Sequence, residues 1–192
     1  MKFNVILFGC DNSGKTTLAT ELRDLFLDRG INSYITKSLG PVSAVEQVAF
    51  MAMKLFPPEE STESIEVQIF DRFPLIEERV CGEILRKENR LKKYEEFGRY
   101  CLSQINFLVL CDPGIDSILN WGSREQMVGV KENATKLWEE YKKIPLEFGV
   151  NSKTLYYDYN EMEFMDIGSP ILYYVLSTYN NHKSNNNRSI EL

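Results

Sequence analysis

A glycine-rich octapeptide near the N-terminus, GCDNSGKT at residues 9–16, constrains the fold of this chain more than any other feature. It follows an apolar run at residues 2–8 and precedes an amphipathic stretch at residues 17–29. A glycine-rich turn between a strand and a helix directs backbone N–H groups towards phosphate oxygens, at a helix N-terminus that already favours anions. In this setting the pattern G-x-x-x-x-G-K-T predicts a P-loop that binds a nucleoside triphosphate.

Two side chains of the octapeptide have separate expected roles. Lys15 brings a positive charge to the β- and γ-phosphates, and the Thr16 hydroxyl suits a ligand of Mg²⁺. ATP is therefore the expected co-substrate and Mg²⁺ the expected cofactor. The residues predicted to bind ATP are Gly9, Asn12, Ser13, Gly14, Lys15, Thr16 and Thr17.

Five apolar runs typical of buried parallel strands alternate with helical patterns along the chain. Since 192 residues are too few for an α/β barrel, this alternation predicts a three-layer α/β/α sandwich with a central five-stranded parallel sheet. The predicted strands are residues 2–8, 31–36, 65–70, 105–111 and 154–157, and the predicted helices are residues 17–29, 42–56, 75–86, 92–103, 131–144 and 170–179.

The domain organisation is predicted from the same patterns. Residues 1–179 are expected to form a single domain, with a lid near residues 113–130, where the sequence is polar, irregular and contains glycines. From residue 180 the chain is polar and repetitive (NNHKSNNNRSIEL), so residues 180–192 are expected to be a disordered tail.

The composition narrows the class of protein. The net charge is −6 and the basic residues form no dense run, which argues against a dedicated nucleic-acid binder or a stable nucleic-acid partner. No apolar stretch has the length of a membrane span. The four cysteines lack C-x-x-C spacing and are expected to be buried, reduced thiols of a cytoplasmic protein, without a metal or disulfide role.

An aspartate and an arginine follow the third predicted strand. Asp71 and Arg72 come directly after the apolar run at residues 65–70, and in open α/β sheets ligands bind at the carboxyl ends of the strands. Asp71 is expected to hold Mg²⁺ or to accept a proton from the attacking group. Arg72 is expected to hold phosphate oxygens with its planar guanidinium. The alternative is a buried Asp–Arg pair that only braces the fold.

The motifs beyond the P-loop favour a kinase. The chain has neither the N-K-x-D box of GTPases nor the apolar run followed by D-E of remodelling ATPases. It resembles the thymidylate kinases, over roughly residues 3–179, through Asp11 at the third position of the P-loop, the triplet D-R-F at residues 71–73, and Arg124. This resemblance implies an ATP-dependent phosphotransferase that acts on a deoxynucleoside monophosphate, thymidylate or a 5-substituted relative.

The resemblance assigns roles to residues around the phosphates. Asp11 is expected to reach the sugar hydroxyl of the acceptor, although a carboxylate here also suits capping of loop N–H groups. Lys37 and Arg72 are expected to meet the acceptor's phosphate. Arg124 is expected to close over the transferring phosphoryl group, because Asn12 occupies the position at which some thymidylate kinases have an arginine. A solvated surface arginine is the alternative for Arg124.

The acceptor side departs from the family pattern, which runs D-R-Y/H-x-x-S-x-x-A-Y-Q-G. This chain keeps the spacing to Gly82 but has Ile76 at the serine position and Arg79 at the alanine position, so the identity of the base is left open. Phe73 and Tyr100 suit either stacking on a base or burial in the core. The residues predicted to bind the acceptor are Asp11, Lys37, Arg72, Phe73, Arg79 and Tyr100; those predicted to act in catalysis are Lys15, Asp71, Arg72 and Arg124; those predicted to hold the metal are Thr16 and Asp71.

Two other functions remain as alternatives. One is phosphorylation of a hydroxyl, on a free deoxynucleoside or on a hydroxymethylated base in DNA. The other is a P-loop nucleotide-binding protein without turnover, and the presence of Lys15, Thr16, Asp71, Arg72 and Arg124 argues against it. Small-molecule nucleotides are the expected partners, and a homodimer is left open.

Overall fold

The computed structural model describes residues 1–40, 42–56, 65–120, 128–148 and 153–188. At its centre is a sheet of five parallel strands in the order β2-β3-β1-β4-β5, and helices cover both faces. The predicted α/β/α sandwich with five parallel strands is confirmed. The strands are Lys2–Phe8 (β1), Asn32–Lys37 (β2), Glu66–Asp71 (β3), Phe107–Cys111 (β4) and Lys153–Tyr157 (β5).

The helices of the described residues lie between and after these strands. A π-helix, whose hydrogen bonds run to the fifth residue along the chain instead of the fourth, directly continues α3. The helical elements are Lys15–Leu27 (α1), Ala44–Leu55 (α2), Pro74–Glu77 (α3), the π-helix Glu78–Arg86, a 3₁₀ turn at Lys92–Tyr94, Glu95–Ser103 (α4), Ile115–Leu119 (α5), Ala134–Tyr141 (α6), Ile144–Phe148 (α7) and Phe164–Arg188 (α8).

The sheet is buried on both faces because successive side chains of each strand point into two different cores. In β1, Phe3, Val5 and Leu7 pack with residues of α1 and α8. The alternate residues, Ile6 and Phe8, pack on the opposite face with residues of α2, the π-helix, α4 and α6. This alternation produces the three layers and explains why the strands are almost continuously apolar.

The central strand β1 lies between β3 and β4, and its end determines where the site forms. Leu7 of β1 pairs with Asp71 of β3, and the backbone N–H of Arg72 donates to the carbonyl oxygen of Leu7 at 3.1 Å. The turn after β1, residues 9–14, therefore lies on the same edge of the sheet as Asp71 and Arg72. Since α1 begins at Lys15, this turn is also the N-terminus of a helix.

The last helix begins earlier than the sequence predicts. α8 starts at Phe164 and includes Pro170, which the sequence pattern places at the helix start. Ile167 is buried, and Gly168 packs so closely on Leu25 of α1 that a Cβ would lie 2.8 Å from the leucine Cδ2. This packing stabilises the turns before the proline, which no local sequence signal reports.

The same helix also ends later than predicted. α8 continues to Arg188, so the expectation of a disordered tail is wrong for residues 180–188. Adding a residue to a nucleated helix is nearly neutral in free energy, and no proline or glycine interrupts this stretch. Residues 189–192 lie outside the described residues.

The predicted helix at residues 131–144 is shorter in the structure, where α6 spans Ala134–Tyr141 and a separate helix, α7, begins at Ile144. Turns occupy residues 128–133, and the Asn133 side chain donates to the carbonyl oxygen of Gly129 at 2.8 Å. Such a side-chain bond to a nearby carbonyl competes with helical pairing and delays the helix start to Ala134.

The cysteines agree with the expectation of buried thiols. All four are buried and form no disulfide. Burial raises the pKa of the Cys10 and Cys81 thiols to about 12, so both are protonated near neutral pH. The described helices include none that combines the length and the apolar character needed to cross a bilayer.

We expect Leu7→Ala to lower the free energy of unfolding by about 2–5 kcal/mol, because Leu7 is fully buried and alanine leaves a cavity between the sheet and α1. Leu146→Ala is the matched control, since Leu146 is 86% exposed, and its effect is expected to stay within about 0.5 kcal/mol. Urea unfolding of both variants measures the difference. Similar losses in the two proteins would contradict the described packing.

Candidate active site

The P-loop between β1 and α1 has the backbone conformation that its glycines permit. Gly9 and Gly14 have positive φ angles of 139° and 82°, and a Cβ at Gly9 would collide with the carbonyl oxygen of Cys111. Asn12 also has a positive φ, 67°, which asparagine tolerates better than most residues. The loop therefore turns tightly around a centre in which the Lys15 side chain lies.

The ammonium group of Lys15 is buried inside this loop. Its Nζ donates to the carbonyl oxygens of Gly9, at 3.0 Å, and Cys10, and to the hydroxyl of Ser13 at 3.2 Å. Burial lowers the pKa of Lys15, and the positive charge of Arg72 lowers it further. A cation in this position needs oxygen partners, which the loop supplies here and which phosphates can supply in its place.

The two residues predicted to hold the metal, Thr16 and Asp71, lie in direct contact. The Thr16 hydroxyl donates to Asp71 Oδ2 at 2.7 Å. The second carboxylate oxygen, Asp71 Oδ1, is buried and has no hydrogen-bond partner among the described residues. A buried carboxylate oxygen without a partner is unfavourable, so an additional ligand is expected there.

These oxygen ligands fit Mg²⁺. Magnesium prefers oxygen and is typically held by one or two carboxylates together with substrate phosphates and water. Within the described residues no group of three or more His, Cys, Asp or Glu side chains could hold a metal. A metal at Thr16 and Asp71 would therefore share its coordination with a nucleotide.

Arg72 occupies a strained position between two carboxylates. Its φ is 73°, a left-handed conformation that is uncommon for a residue other than glycine and is often found at functional sites. The guanidinium pairs with Asp11 of the P-loop and with Glu77 at 3.1 Å. Burial opposes its charge, but Glu77 and Asp11 more than compensate and raise the pKa of Arg72. Asp71 therefore contacts Thr16, whereas Arg72 pairs with Asp11 and Glu77. The alternative expectation was that Asp71 and Arg72 pair with each other.

Glu77 lies in the candidate site, although the sequence patterns assigned it no role. Besides Arg72, it accepts a hydrogen bond from the hydroxyl of the buried Tyr141 at 2.9 Å. The Cys81 thiol lies 3.3 Å from the same hydroxyl. Glu77 is therefore held in place by α6 and orients Arg72, five residues earlier in the chain. The sequence feature that could have indicated this contact is the position of Glu77, one helical turn after the Asp71-Arg72 pair.

A cavity of about 310 Å³ opens beside the P-loop and the end of β3. It brings together three predicted substrate-binding residues, Asp11, Lys37 and Arg72, with the predicted metal ligand Asp71. The opposite part of its wall was not predicted. The complete lining is Asp11, Lys37, Ser38, Gly40, Gln47, Asp71, Arg72, Pro74, Glu77, Glu78, Cys81, Arg86 and Arg90.

Three predicted acceptor residues do not line this cavity. Phe73 is fully buried and packs edge to face on Phe70, with ring centroids 5.3 Å apart, so its prediction as a base-stacking residue is wrong for this conformation. The left-handed backbone at the preceding residue turns this side chain into the core. Tyr100 is 57% exposed and stacks on Phe56 at 5.0 Å, away from the cavity.

Arg79, the third of these residues, points to the other side of the π-helix. Its guanidinium pairs with Glu83, Glu140 and Glu147 at 2.7–3.3 Å, which ties the π-helix to α6 and α7. Glu140 and Glu147 are 61 and 68 residues from Arg79 in the sequence, so the link to α6 and α7 could not be predicted. Arg124 lies outside the described residues, and its predicted role remains a prediction.

Two other parts of the chain, the end of α5 and the segment after β5, contact the P-loop. The Asn12 side chain donates to the carbonyl oxygens of Ser117, at 2.8 Å, and Asn120, at 3.1 Å, around the end of α5. The ring of Tyr159, which follows β5, lies against Gly14, and its hydroxyl donates to the carbonyl oxygen of Asn12 at 3.4 Å. The loop after β5 therefore borders the P-loop.

We expect Asp71→Asn to remove most of the effect of Mg²⁺ on nucleotide binding, because the neutral amide is a poor ligand for this hard cation. Calorimetric titration of a non-hydrolysable ATP analogue, with and without Mg²⁺, measures it. The wild type is expected to gain at least about tenfold in affinity with Mg²⁺. Asp24→Asn, an exposed carboxylate paired with Arg23 on α1, is the control. An unchanged Mg²⁺ effect in Asp71→Asn would exclude Asp71 from the metal site.

Comparison with known proteins shows what fold this is. No family model matches the sequence, and no curated protein matches it. Among solved structures, the YorR protein of Bacillus subtilis, in complex with phosphorylated GDP, is similar over 92% of this chain and 98% of its own, with a TM-score of 0.66 and 15% identity. A deoxyadenosine kinase from M. mycoides, with the products dCMP and a flexible dCDP bound, covers 92% of this chain and 100% of its own, with a TM-score of 0.54 and 14% identity. The chain thus has the P-loop α/β fold that these nucleotide-binding proteins share.

Proposed function

We propose that this protein is an ATP-dependent kinase that transfers the γ-phosphate of ATP to a deoxynucleoside monophosphate, thymidylate or a 5-substituted relative. The observation that carries the proposal is the cavity in which the cations Lys37 and Arg72 and the carboxylates Asp11 and Asp71 line one wall beside the P-loop. The two solved structures of this fold support it, since one contains phosphorylated GDP and the other is a deoxyadenosine kinase with dCMP and dCDP bound.

The donor side of the proposed reaction is the P-loop. ATP would bind along residues 9–17, with its β- and γ-phosphates replacing the carbonyl oxygens that now surround Lys15. Mg²⁺, when bound at Thr16 and Asp71 with the phosphates, neutralises charge on the transferring group. Arg124, on the predicted lid, would neutralise the same charge on the transferring phosphoryl group, and this role is proposed from the sequence.

The acceptor side favours a substrate that already has a phosphate. Lys37 and Arg72 are two cations that line the cavity, and a phosphate is the acceptor group whose oxygens both of them can bind. A monophosphate is itself a nucleophilic anion, so its attack on the γ-phosphate needs positioning and charge neutralisation and no general base. Asp11, which now pairs with Arg72, would turn to the sugar hydroxyl when the phosphate takes its place.

A second candidate function is transfer to a hydroxyl, on a deoxynucleoside or on a hydroxymethylated base in DNA. A hydroxyl nucleophile needs a base, and the unpartnered oxygen of Asp71 is suitably placed to accept its proton. The similarity to a deoxyadenosine kinase also favours this function. The acceptor therefore has to be identified by experiment.

We expect the monophosphate to exceed its parent nucleoside by at least roughly a hundredfold in kcat/KM, which corresponds to about 2.7 kcal/mol of phosphate recognition. Radiolabelled ATP with thymidine, thymidylate, the other nucleosides and monophosphates, and hydroxymethylated DNA measures this preference. Arg72→Ala is expected to remove most of it. Phosphorylation of nucleosides or DNA without phosphorylation of any monophosphate would refute the monophosphate assignment and favour the second candidate.

We expect Lys15→Ala to abolish phosphate transfer while unfolding stays cooperative, because the ammonium group acts electrostatically on the phosphates. Lys143→Ala is the matched control, since Lys143 is 55% exposed and pairs only with Glu140 among the described residues. Turnover and thermal unfolding are measured for both variants. Turnover of Lys15→Ala within a few-fold of the wild type would show that the P-loop is not the donor site.

A further inference from the structure

A second polar group lines the same cavity and makes its hydrogen bonds apart from the P-loop. It consists of Gln47 on α2, Glu78 and Arg86 on the π-helix, and Arg90 beyond it, and we call it the glutamate cluster. Glu78 is buried at its centre and accepts hydrogen bonds from Gln47 at 2.9 Å and from both arginines at 2.7 Å. None of these four residues was assigned a role from the sequence.

The donors around Glu78 favour its charged form. Burial alone would raise its pKa, but the hydrogen bonds from Arg90 and Gln47 outweigh burial and hold the pKa of Glu78 at about 2. One carboxylate then faces two guanidinium groups. Because each guanidinium has five N–H donors and accepts nothing, the cluster keeps N–H groups available to a ligand after Glu78 is saturated.

The orientation of the Gln47 amide is determined by its neighbours. Its Nε2 donates to Glu78 Oε1 at 2.9 Å and to the carbonyl oxygen of Val42 at 3.2 Å. Both partners only accept hydrogen bonds, so the opposite orientation would place oxygen against oxygen. Gln47 lines the cavity, and its side-chain hydrogen bonds among the described residues are both donated by Nε2, which leaves the Oε1 acceptor for a ligand.

Gly82 leaves the space in which Glu78 and Arg86 approach each other. A Cβ at this position would lie 2.9 Å from Glu78 Oε2 and 3.0 Å from a terminal nitrogen of Arg86. It would also lie 2.8 Å from the carbonyl oxygen of Glu88. The π-helix therefore needs glycine here so that carboxylate and guanidinium can approach each other across its surface.

We propose that the glutamate cluster selects acceptor bases with an N–H donor beside a carbonyl oxygen, namely thymine, uracil, guanine and hypoxanthine, over cytosine and adenine. Gln47 Oε1 accepts from the ring N–H, and Arg86 or Arg90 donates to the adjacent carbonyl. Cytosine and adenine present a ring lone pair beside an amino group, which reverses both interactions. The proposal rests on the proposed function only in taking the acceptor to be a nucleoside or nucleotide.

Two pairs of size-matched bases test the proposal. Uracil and cytosine differ in the 4-oxo and 4-amino groups, and hypoxanthine and adenine in the 6-oxo and 6-amino groups. We expect each oxo base to exceed its amino partner by at least about 30-fold in kcat/KM, because a site built for one hydrogen-bond pattern leaves buried groups unpaired with the other. Dissociation constants from calorimetry are expected to follow the same order.

Each base is tested as the deoxynucleoside and as its 5′-monophosphate. The base preference is measured separately among the nucleosides and among the monophosphates. The phosphate preference of the proposed function is measured by comparing each nucleoside with its own monophosphate. A base preference among nucleosides alone would support the glutamate cluster and refute the monophosphate assignment. Equal values for oxo and amino bases, a preference for amino bases, or no binding of any compound would overturn the proposal.

In the variant Glu78→Gln the orientation of the Gln47 amide is no longer determined, because a neutral amide at position 78 can donate a hydrogen bond as well as accept one. We expect the uracil-to-cytosine ratio to fall at least about tenfold, while the preference for monophosphate over nucleoside persists. Glu83→Gln is the control, since Glu83 is an exposed carboxylate of the same π-helix that pairs with Arg79, and its ratio should not change.

A second variant, Gln47→Met, keeps Glu78 and both arginines and removes the Oε1 acceptor. It is expected to lose the same base preference without altering the charge of the cluster. Unchanged ratios in a folded Gln47→Met protein would overturn the assignment of Gln47. Circular dichroism and thermal unfolding establish that each variant is folded before the ratios are compared.

Discussion

The pairing of β1 with β3 is the interaction on which the rest of the site depends. Parallel strands in this register end at the same edge, so Leu7 lies opposite Asp71 and the P-loop begins where β3 ends. The Thr16 hydroxyl can then reach Asp71, and Arg72 can reach Asp11, although 55 and 61 residues separate these pairs. A change of register would separate the predicted metal ligands and also exchange the two faces of the sheet.

Alternating charges organise the cavity that this edge creates. Arg72 lies between two carboxylates, and Glu78 lies between two arginines. Removing charged groups from water is unfavourable unless each is compensated, and here every guanidinium of the cavity wall has a carboxylate partner. An entering anion would therefore compete with Asp11 and Glu77 for Arg72. On binding, the anion would replace a carboxylate beside a guanidinium that is already in position.

The fold is shared with proteins of very different sequence. YorR has 15% identity to this chain over almost its whole length. Buried apolar positions tolerate substitution as long as volume and pattern are kept, so a fold persists when identity is this low. Volume and pattern alone do not determine which residues contact the substrate, so one fold supports several activities. The residues that line the cavity therefore carry the proposed function, and the similarity of fold supports it.

The sequence by itself determined the five strands and the P-loop between β1 and α1, because strand periodicity and the glycine-rich octapeptide are local signals. The tertiary structure decided which side chains meet in the acceptor cavity. Phe73 and Arg79 were predicted to face the acceptor, but one is buried in the core and the other pairs with glutamates of three helices. Gln47 and Glu78 were missed, since 31 residues separate them and only the packing of α2 on the π-helix brings the amide to the carboxylate.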